Sequence, residues 1–426
     1  MRSIKKLISI ALVGVLGFST LVGCGNKSEN AVKNGQEELV LWMPPIGDND
    51  GPLWESILGK FEEENNVQVK VDIIPWENYP EKYATAISAG KGPDVGYMYA
   101  EMFPQFIEIG AIENLESYYT AEDYENHIYL NNAKMMGGVY GLPIEAANPI
   151  ILYYNKDILD SLGEQPPVTW EDFQRICKKA TKDLDGNGTI DQWGFSQGWG
   201  EKFFGDLNRN WYGFLWQAGG EMFNEDLKSV RFNDEAGLKA AQFLYDLNLV
   251  DKVVPEDSLA FNNKEMFENV FAKGKAAFAM HLSSLSTTML DTDYPDLNYG
   301  FITSLKDETQ ATFASVDQLT LMSAAKNKEL AFKLMEYMLS VEAMTQFHKV
   351  NPRAPMTKDE PYQGDPKFEQ MVKEDKDIYR PLMVAPHGVE IYEYLWKELQ
   401  SMIAGQRTPK EALDNAAKYA NDLLKK

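Results

Sequence analysis

Apolar positions in this chain follow two periods, and the two alternate from the first folded segment onward. Glu38-Leu-Val-Leu-Trp42 is a short apolar run that closes in a loop rich in proline, glycine and aspartate between Pro44 and Pro52. Trp54, Ile57, Leu58 and Phe61 then recur at helical spacing, and Val67-Gln-Val-Lys-Val-Asp-Ile-Ile74 alternates with period two. The pattern predicts strand, helix, strand. A second helix is predicted over Tyr79 to Ser88; the turn Gly90-Lys-Gly-Pro93 leads into a strand at Asp94-Val-Gly-Tyr-Met98, and helical spacing returns from Phe103 to Ile109. Strands alternating with helices imply a parallel, doubly wound sheet whose ligand crevice lies beyond the carboxyl ends of the strands. Trp42, Tyr99 and Glu101 fall there.

The later chain differs in texture. Thr169-Trp-Glu-Asp172 has the form of a capping box, and long helical patterns occupy 234–249, 327–347 and 388–404, with no internal repeat.

The N-terminus predicts export. Arg2, Lys5 and Lys6 precede an apolar stretch from Leu7 to Val22, weakened by Gly14 and Gly17, as in a secretory signal over residues 1–23. It ends in Leu21-Val22-Gly23-Cys24, which looks like a bacterial lipoprotein cleavage box; lipidation of Cys24 would anchor the mature chain without a span, since two or more acyl chains suffice. An ordinary signal with a chance cysteine is the alternative. Residues 24–36 are polar and small, a flexible tether. No later stretch reaches the roughly 18 apolar residues of a spanning helix. About 390 residues remain, more than one core usually holds, so two lobes are expected.

The formal charge is −23. Loss of Arg2, Lys5 and Lys6 with the signal makes the mature chain more acidic still, a surface that repels nucleic acid and anionic headgroups. With Cys24 lipidated, Cys177 is the remaining thiol, which excludes a disulfide framework and a multi-cysteine metal site. Beside Phe173 and Ile176 it is expected to pack.

Several segments, in order, carry a family likeness. They include Phe61-Glu-Glu-Glu with Val67-Gln-Val69, Gly92-Pro-Asp94, Val139-Tyr-Gly-Leu-Pro143 running into Leu152-Tyr-Tyr-Asn-Lys-Asp157, and Pro167-Val-Thr-Trp-Glu-Asp-Phe173. Gly274-Lys-Ala-Ala-Phe-Ala-Met280, Asn298-Tyr-Gly300, Lys326-Asn-Lys-Glu-Leu-Ala331 and Gly405-Gln-Arg-Thr-Pro-Lys-Glu-Ala412 continue the series. Nearly the whole mature chain thus resembles the extracellular solute-binding proteins of ABC importers, the family of maltose-binding and multi-sugar-binding proteins. The resemblance implies an α/β, type II periplasmic-binding-protein-like fold, two doubly wound lobes with a hinge and a central cleft. By match, lobe one spans 37–146 plus 303–350 and lobe two 147–302 plus 351–426, with crossovers near Ala146 to Pro149, Tyr299 to Thr303 and Lys349 to Pro352. It also implies a monomer that binds carbohydrate outside the cell, is held to the membrane by its lipid anchor, and passes the solute to the transmembrane permease subunits of an importer. No cofactor is required.

A sugar offers hydroxyls at its rim and an apolar C–H face, so carboxylates, amides and aromatic rings are the residues to look for. Glu101 stands where the family commonly places a sugar-binding acid; Met98 and Met102 replace the aromatic and basic neighbours of relatives, with Tyr99 alongside. Glu145 and Asn148 lie at the crossover mouth, as ligand contacts or as solvated hinge residues. Trp199, Trp211 and Tyr212, flanked by glycine or polar residues, are stacking surfaces or core. His281 and Ser284 end a strand-like run where relatives contribute a cleft residue, though a structural histidine is equally compatible. Asp317 is a second acid from lobe one, and Tyr392 matches a stacking aromatic, with Tyr394 and Trp396 close by.

Asp183, Asp185, Asn187, Thr189 and Asp191 follow EF-hand loop spacing, with Gly188 for the sharp turn, but Gly194 stands where a bidentate glutamate belongs. Either a structural calcium ion or an ion-free Asx/Gly turn fits. Gly194-Phe-Ser-Gln-Gly198 matches the serine-hydrolase pattern without its strand-turn-helix context. A glycan hydrolase using a carboxylate pair such as Glu101 and Glu145 is the other enzymatic alternative, and an adhesin or co-receptor on the same fold the third.

Overall fold

The structure, a computed structural model, describes residues 36–426 apart from positions 48, 77–78, 148, 203, 364–365, 367 and 370–377. The export signal, Cys24, the tether up to residue 35 and Asn148 lie outside the described residues, as does the side chain of Ser284.

The first sheet forms from the segments whose periodicity is clearest. Glu37–Met43 pairs in parallel with Val67–Ile73 along its whole length and with Val95–Met98 on its other side. Between the first two strands, helix Asp50–Asn65 turns Trp54, Ile57, Leu58 and Phe61 into the core, each at most 2% exposed. It stops at Asn66, whose φ of 49° is left-handed and whose N–H closes on the Glu62 carbonyl.

The sheet is not wholly parallel. Ser315–Leu321 runs antiparallel to Val95–Met98 on one side and to Leu142–Ala147 on the other, giving the order Val67–Ile73, Glu37–Met43, Val95–Met98, Ser315–Leu321, Leu142–Ala147. The reason is topological. This strand returns from the second core, so it enters the sheet at the end where the other strands leave.

The second sheet has the order Tyr299–Ile302, Ile150–Asn155, Ala276–Leu282, Trp193–Ser196, and only its last pair is parallel. Its two central strands are buried almost throughout, as strands covered on both faces must be. Helix Trp170–Ala180 lies on this sheet, opened by the reciprocal Thr169–Asp172 capping box that the sequence predicts, and Cys177 is buried with Phe173 and Ile176. The pattern at 327–347 resolves into two helices, Lys328–Met338 and Val341–Val350, because Ser340 is extended and its side chain caps Ala343.

Two hydrophobic cores result. One gathers residues from Leu39 to Ala146 and from Val316 to Met356; the other, with a satellite cluster, gathers residues from Ile150 to Phe313 and from Phe368 to Ala420. The chain crosses between Ala146 and Ile150, between Phe313 and Val316, and between Met356 and Phe368. The last two crossings come later than the expected Tyr299–Thr303 and Lys349–Pro352. Leu305, Ala311 and Phe313 are held in the second core, where the Thr312 hydroxyl bonds the Ile150 carbonyl. Residues 353–360 are held to the first by Arg353 on Glu145 and by Glu360 against His348.

Candidate functional site

The geometry of the first sheet concentrates polar groups at one edge. Carboxyl ends of its parallel strands and the amino end of Ser315–Leu321 all meet where the chain crosses to the second core. Glu145 and Asp317 are register partners there. Tyr97 Oη lies 2.6 Å from Asp317 Oδ2 and 3.3 Å from Glu145 Oε2, so its proton goes to the aspartate. Arg353 Nε donates to Glu145 Oε1 at 2.9 Å, and both side chains are nearly inaccessible.

Asp317 is 8% exposed and its Oδ1 has no hydrogen-bond partner. Burial, and then the neighbouring Glu145, push its carboxyl well above the ordinary range. Glu101 sits on the short turn Ala100–Met102 directly after Val95–Met98 and is half-buried. Burial raises its carboxyl to about 7.

Glu101 also reaches the other core. Its charge acts on Tyr99 and Asp317 in the first core and on Tyr212 and Tyr392 in the second. Helix Gly388–Ile403, which carries Tyr392, packs against the Ala100–Met102 turn. Tyr392 donates to the Met383 carbonyl at 2.9 Å. Tyr212 is 1% exposed and its hydroxyl has no partner; its ring lies 5.7 Å from Trp216, stacked, and 6.3 Å from Tyr392, edge-on. A buried polar atom without a partner is uncommon in a folded protein and marks a place where a further donor or acceptor belongs.

Tyr97, Arg353 and one exposed ring of this edge escaped the sequence-based selection. Trp76 is 42% exposed, donates its indole N–H to the Pro45 carbonyl at 3.0 Å, and leans on Tyr79, Tyr97 and Tyr99 at centroid distances of 5.5, 6.0 and 6.2 Å. It follows Ile74-Pro75 just past a strand end. The crevice rule that selects Glu101 selects it equally.

Trp42 is not at the edge. It lies within its strand, not beyond it, 5% exposed, with its N–H on Asp72 Oδ2 and Tyr83 edge-on at 5.1 Å. Trp199 and Trp211 are fully buried in the second core. Trp199 stacks on Trp396 at 5.3 Å and gives its N–H to Gln197. Its flanking glycines mark close packing instead of exposure: a Cβ at Gly198 would fall 2.3 Å from the Asn262 backbone and one at Gly200 2.7 Å from that of Phe261. The indole N–H of Trp211 has no partner.

His281 ends strand Ala276–Leu282, 8% exposed, stacked on Phe267 at 4.5 Å with Nδ1 2.5 Å from Ser286 Oγ. Burial, with Arg209 and Lys264, keeps it neutral, and its Nε2 has no partner.

The aspartate-rich loop lies on the second core's side of the chain. Carboxylates of Asp183, Asp185 and Asp191 converge within 4.8 Å of one another. Loop N–H groups already occupy them: those of Gly186, Asn187 and Gly188 bond Asp183, that of Asn187 also bonds Asp185, and that of Leu184 bonds Asp191. Thr189 gives its N–H to Asn187 Oδ1. Gly194 cannot be the twelfth-position acid, because a Cβ there would stand 2.4 Å from the Cys177 carbonyl oxygen. Nor is Ser196 an exposed nucleophile: it is 3% exposed, and its hydroxyl donates to the Met266 carbonyl at 2.9 Å.

Comparison with known proteins bears on this geometry. The sequence model of the bacterial extracellular solute-binding protein matches residues 46–345. The galactooligosaccharide-binding protein of Bacillus subtilis is 23% identical over 100% of this chain and 99% of its own. The multiple sugar-binding protein of Streptococcus mutans is 25% identical over 86% of this chain and 84% of its own. Among solved structures, an ABC substrate-binding protein of Listeria monocytogenes in complex with cycloalternan superposes with a TM-score of 0.75 at 24% identity, covering 91% of this chain and 98% of that one. A solute-binding protein of Thermotoga lettingae bound with alpha-D-tagatose gives 0.74 at 24% identity, covering 91% and 100%.

Proposed function

The chain belongs to the bacterial extracellular solute-binding protein family, and from that premise we propose that it captures an oligosaccharide between its two cores and delivers it unaltered to an ABC importer in the membrane. The observation that carries the proposal is Glu101. This half-buried carboxyl of the first core lies close enough for its charge to act on Tyr212 and Tyr392 of the second, and the two cores carry partnerless polar atoms at Asp317 Oδ1 and Tyr212 Oη. Carboxylates and rings together meet the needs of a molecule that has hydroxyls at its edge and C–H groups on its face. Relatives named for galactooligosaccharide and multiple-sugar binding, and neighbours holding cycloalternan and tagatose, support the choice of ligand.

No chemistry is needed. Hinge closure about ligand is the established behaviour of periplasmic binding proteins. A ligand touching both cores favours the closed arrangement by its differential affinity for it, and closure presents a composite surface to the permease. Cys24 holds the protein to the outer face of the membrane through its lipid, on the strength of the Leu21-Val22-Gly23-Cys24 box. Among the described residues no helix is long and apolar enough to cross a membrane.

One observation favours a second function. A carboxyl raised to about 7, as at Glu101, suits a general acid in glycoside hydrolysis. The partner such a reaction requires is less suited: Glu145 is held by Arg353 and faces Tyr97. Calorimetry with an oligosaccharide panel, followed by chromatography of the recovered sugar, tests both. Capture predicts saturable one-to-one binding and intact sugar; shortened products would assign a hydrolase, and no binding to any oligosaccharide would end the capture proposal.

A further inference from the structure

We infer, resting on the oligosaccharide-capture proposal, that the cleft is built for a saccharide bearing a free, protonated amino group, and that it prefers such a sugar to its uncharged counterpart. Three carboxyl groups gather at the edge of the first sheet, and their surroundings are unequal. Glu145 has a counter-charge in Arg353 at 2.9 Å. Asp317 receives a neutral donor, the hydroxyl of Tyr97, and is more than nine-tenths buried with Oδ1 unpartnered. Among the described residues no lysine or arginine pairs with Asp317 or Glu101, and the charge of Glu101 acts on Asp317 while both act on Tyr99.

A sugar hydroxyl satisfies a carboxylate's hydrogen bond without balancing its charge. Removing two carboxylates from water against an uncharged ligand therefore requires them to take up protons or to bear a desolvation cost. An ammonium removes that cost. It carries three donors on one point charge, and two acids placed on one side of the site give it two acceptors.

The rings agree with this chemistry. Trp76, Tyr97 and Tyr99 form one aromatic group beside Asp317 on the first core, and the charge of Glu101 acts on Tyr212 and Tyr392 of the second. Aromatic faces attract cations through their quadrupole, so Trp76 and Tyr99, the rings of this set that keep exposed surface, suit an ammonium as well as a sugar's C–H face. The formal charge of −23 steers cationic ligands in the same direction.

The test uses matched oligosaccharide pairs of the same length and linkage that differ only in bearing free amines or hydroxyls, titrated into the mature protein at neutral pH. The amine-bearing member is expected to bind about tenfold tighter or more, with the advantage shrinking as salt is raised. Asp317→Asn and Glu101→Gln, each checked for an unchanged melting profile, should each remove most of that advantage. Equal or tighter binding of the hydroxyl member to the unmodified protein would overturn the inference while leaving oligosaccharide capture intact. Failure of both members of every pair to bind would overturn the two together.

Discussion

The first core presents its clustered acids at the end of a sheet, whereas the second core brings its nearest rings to them on helices. On the first face Glu145, Asp317 and Tyr97 sit on adjacent strands and Glu101 on the turn that follows one, so backbone register fixes their spacing. On the second, Tyr212 and Tyr392 stand on helices and are buried in a large aromatic core. Charge and precision of placement thus reside on one side, and apolar surface on the other. The difference teaches where substitutions will strike the fold and where they will strike only the ligand.

The largest effect is expected where the first face is held together. Arg353→Ala leaves Glu145 buried without its counter-charge, and breaking such a pair costs about 3–5 kcal/mol. Urea unfolding should show that loss, with part of it recovered by adding Glu145→Gln. A change under about 1 kcal/mol would mean that Glu145 is solvated, and the contrast between the faces would fail.

A smaller effect, confined to ligand, is expected at Trp76. Its ring is already 42% exposed, so Trp76→Ala should change stability by less than about 1 kcal/mol while weakening oligosaccharide binding about tenfold. Calorimetry and denaturation on the same samples separate the two.

Tyr212→Phe sharpens the comparison from the second face. A buried hydroxyl with no partner costs free energy in the unliganded protein, so its removal should leave stability unchanged or raise it by about 1 kcal/mol. Affinity should fall severalfold. If both fall together, the hydroxyl has a structural partner.

A further effect is in pH. The Glu101 carboxyl stands at about 7 in the folded protein against an ordinary 4.5, so the folded state holds more protons in between, and stability falls as pH rises from about 4.5 to about 7. Glu101→Gln should flatten that fall. The two proteins are compared at each pH, because His281, held well below 6.5, acts in the opposite sense as pH drops under that value.

Much of this was legible in the sequence, for identifiable reasons. The helix of Trp54, Ile57, Leu58 and Phe61 and the Thr169–Asp172 box are local patterns, and local patterns survive folding. Glu101 was legible because it follows a strand end; Glu145 and Asp317, picked out from the crossover and from a loop position, lie inside strands, where register sets them side by side. Arg353 was not, since its partner Glu145 lies far away in sequence and only the late third crossing brings them together. The antiparallel strand Ser315–Leu321 was hidden for the same reason. At Trp199 the glycines were misleading: they admit the backbone of residues 261–263, and solvent has no part in it.

The central claim is that one oligosaccharide touches both cores and draws them together. Small-angle X-ray scattering of the mature protein, with and without a saturating oligosaccharide shown by calorimetry to bind, tests it most directly. The account predicts a smaller radius of gyration and a narrower distance distribution with sugar bound. Superimposable profiles, from a sample whose sugar is bound, would contradict it.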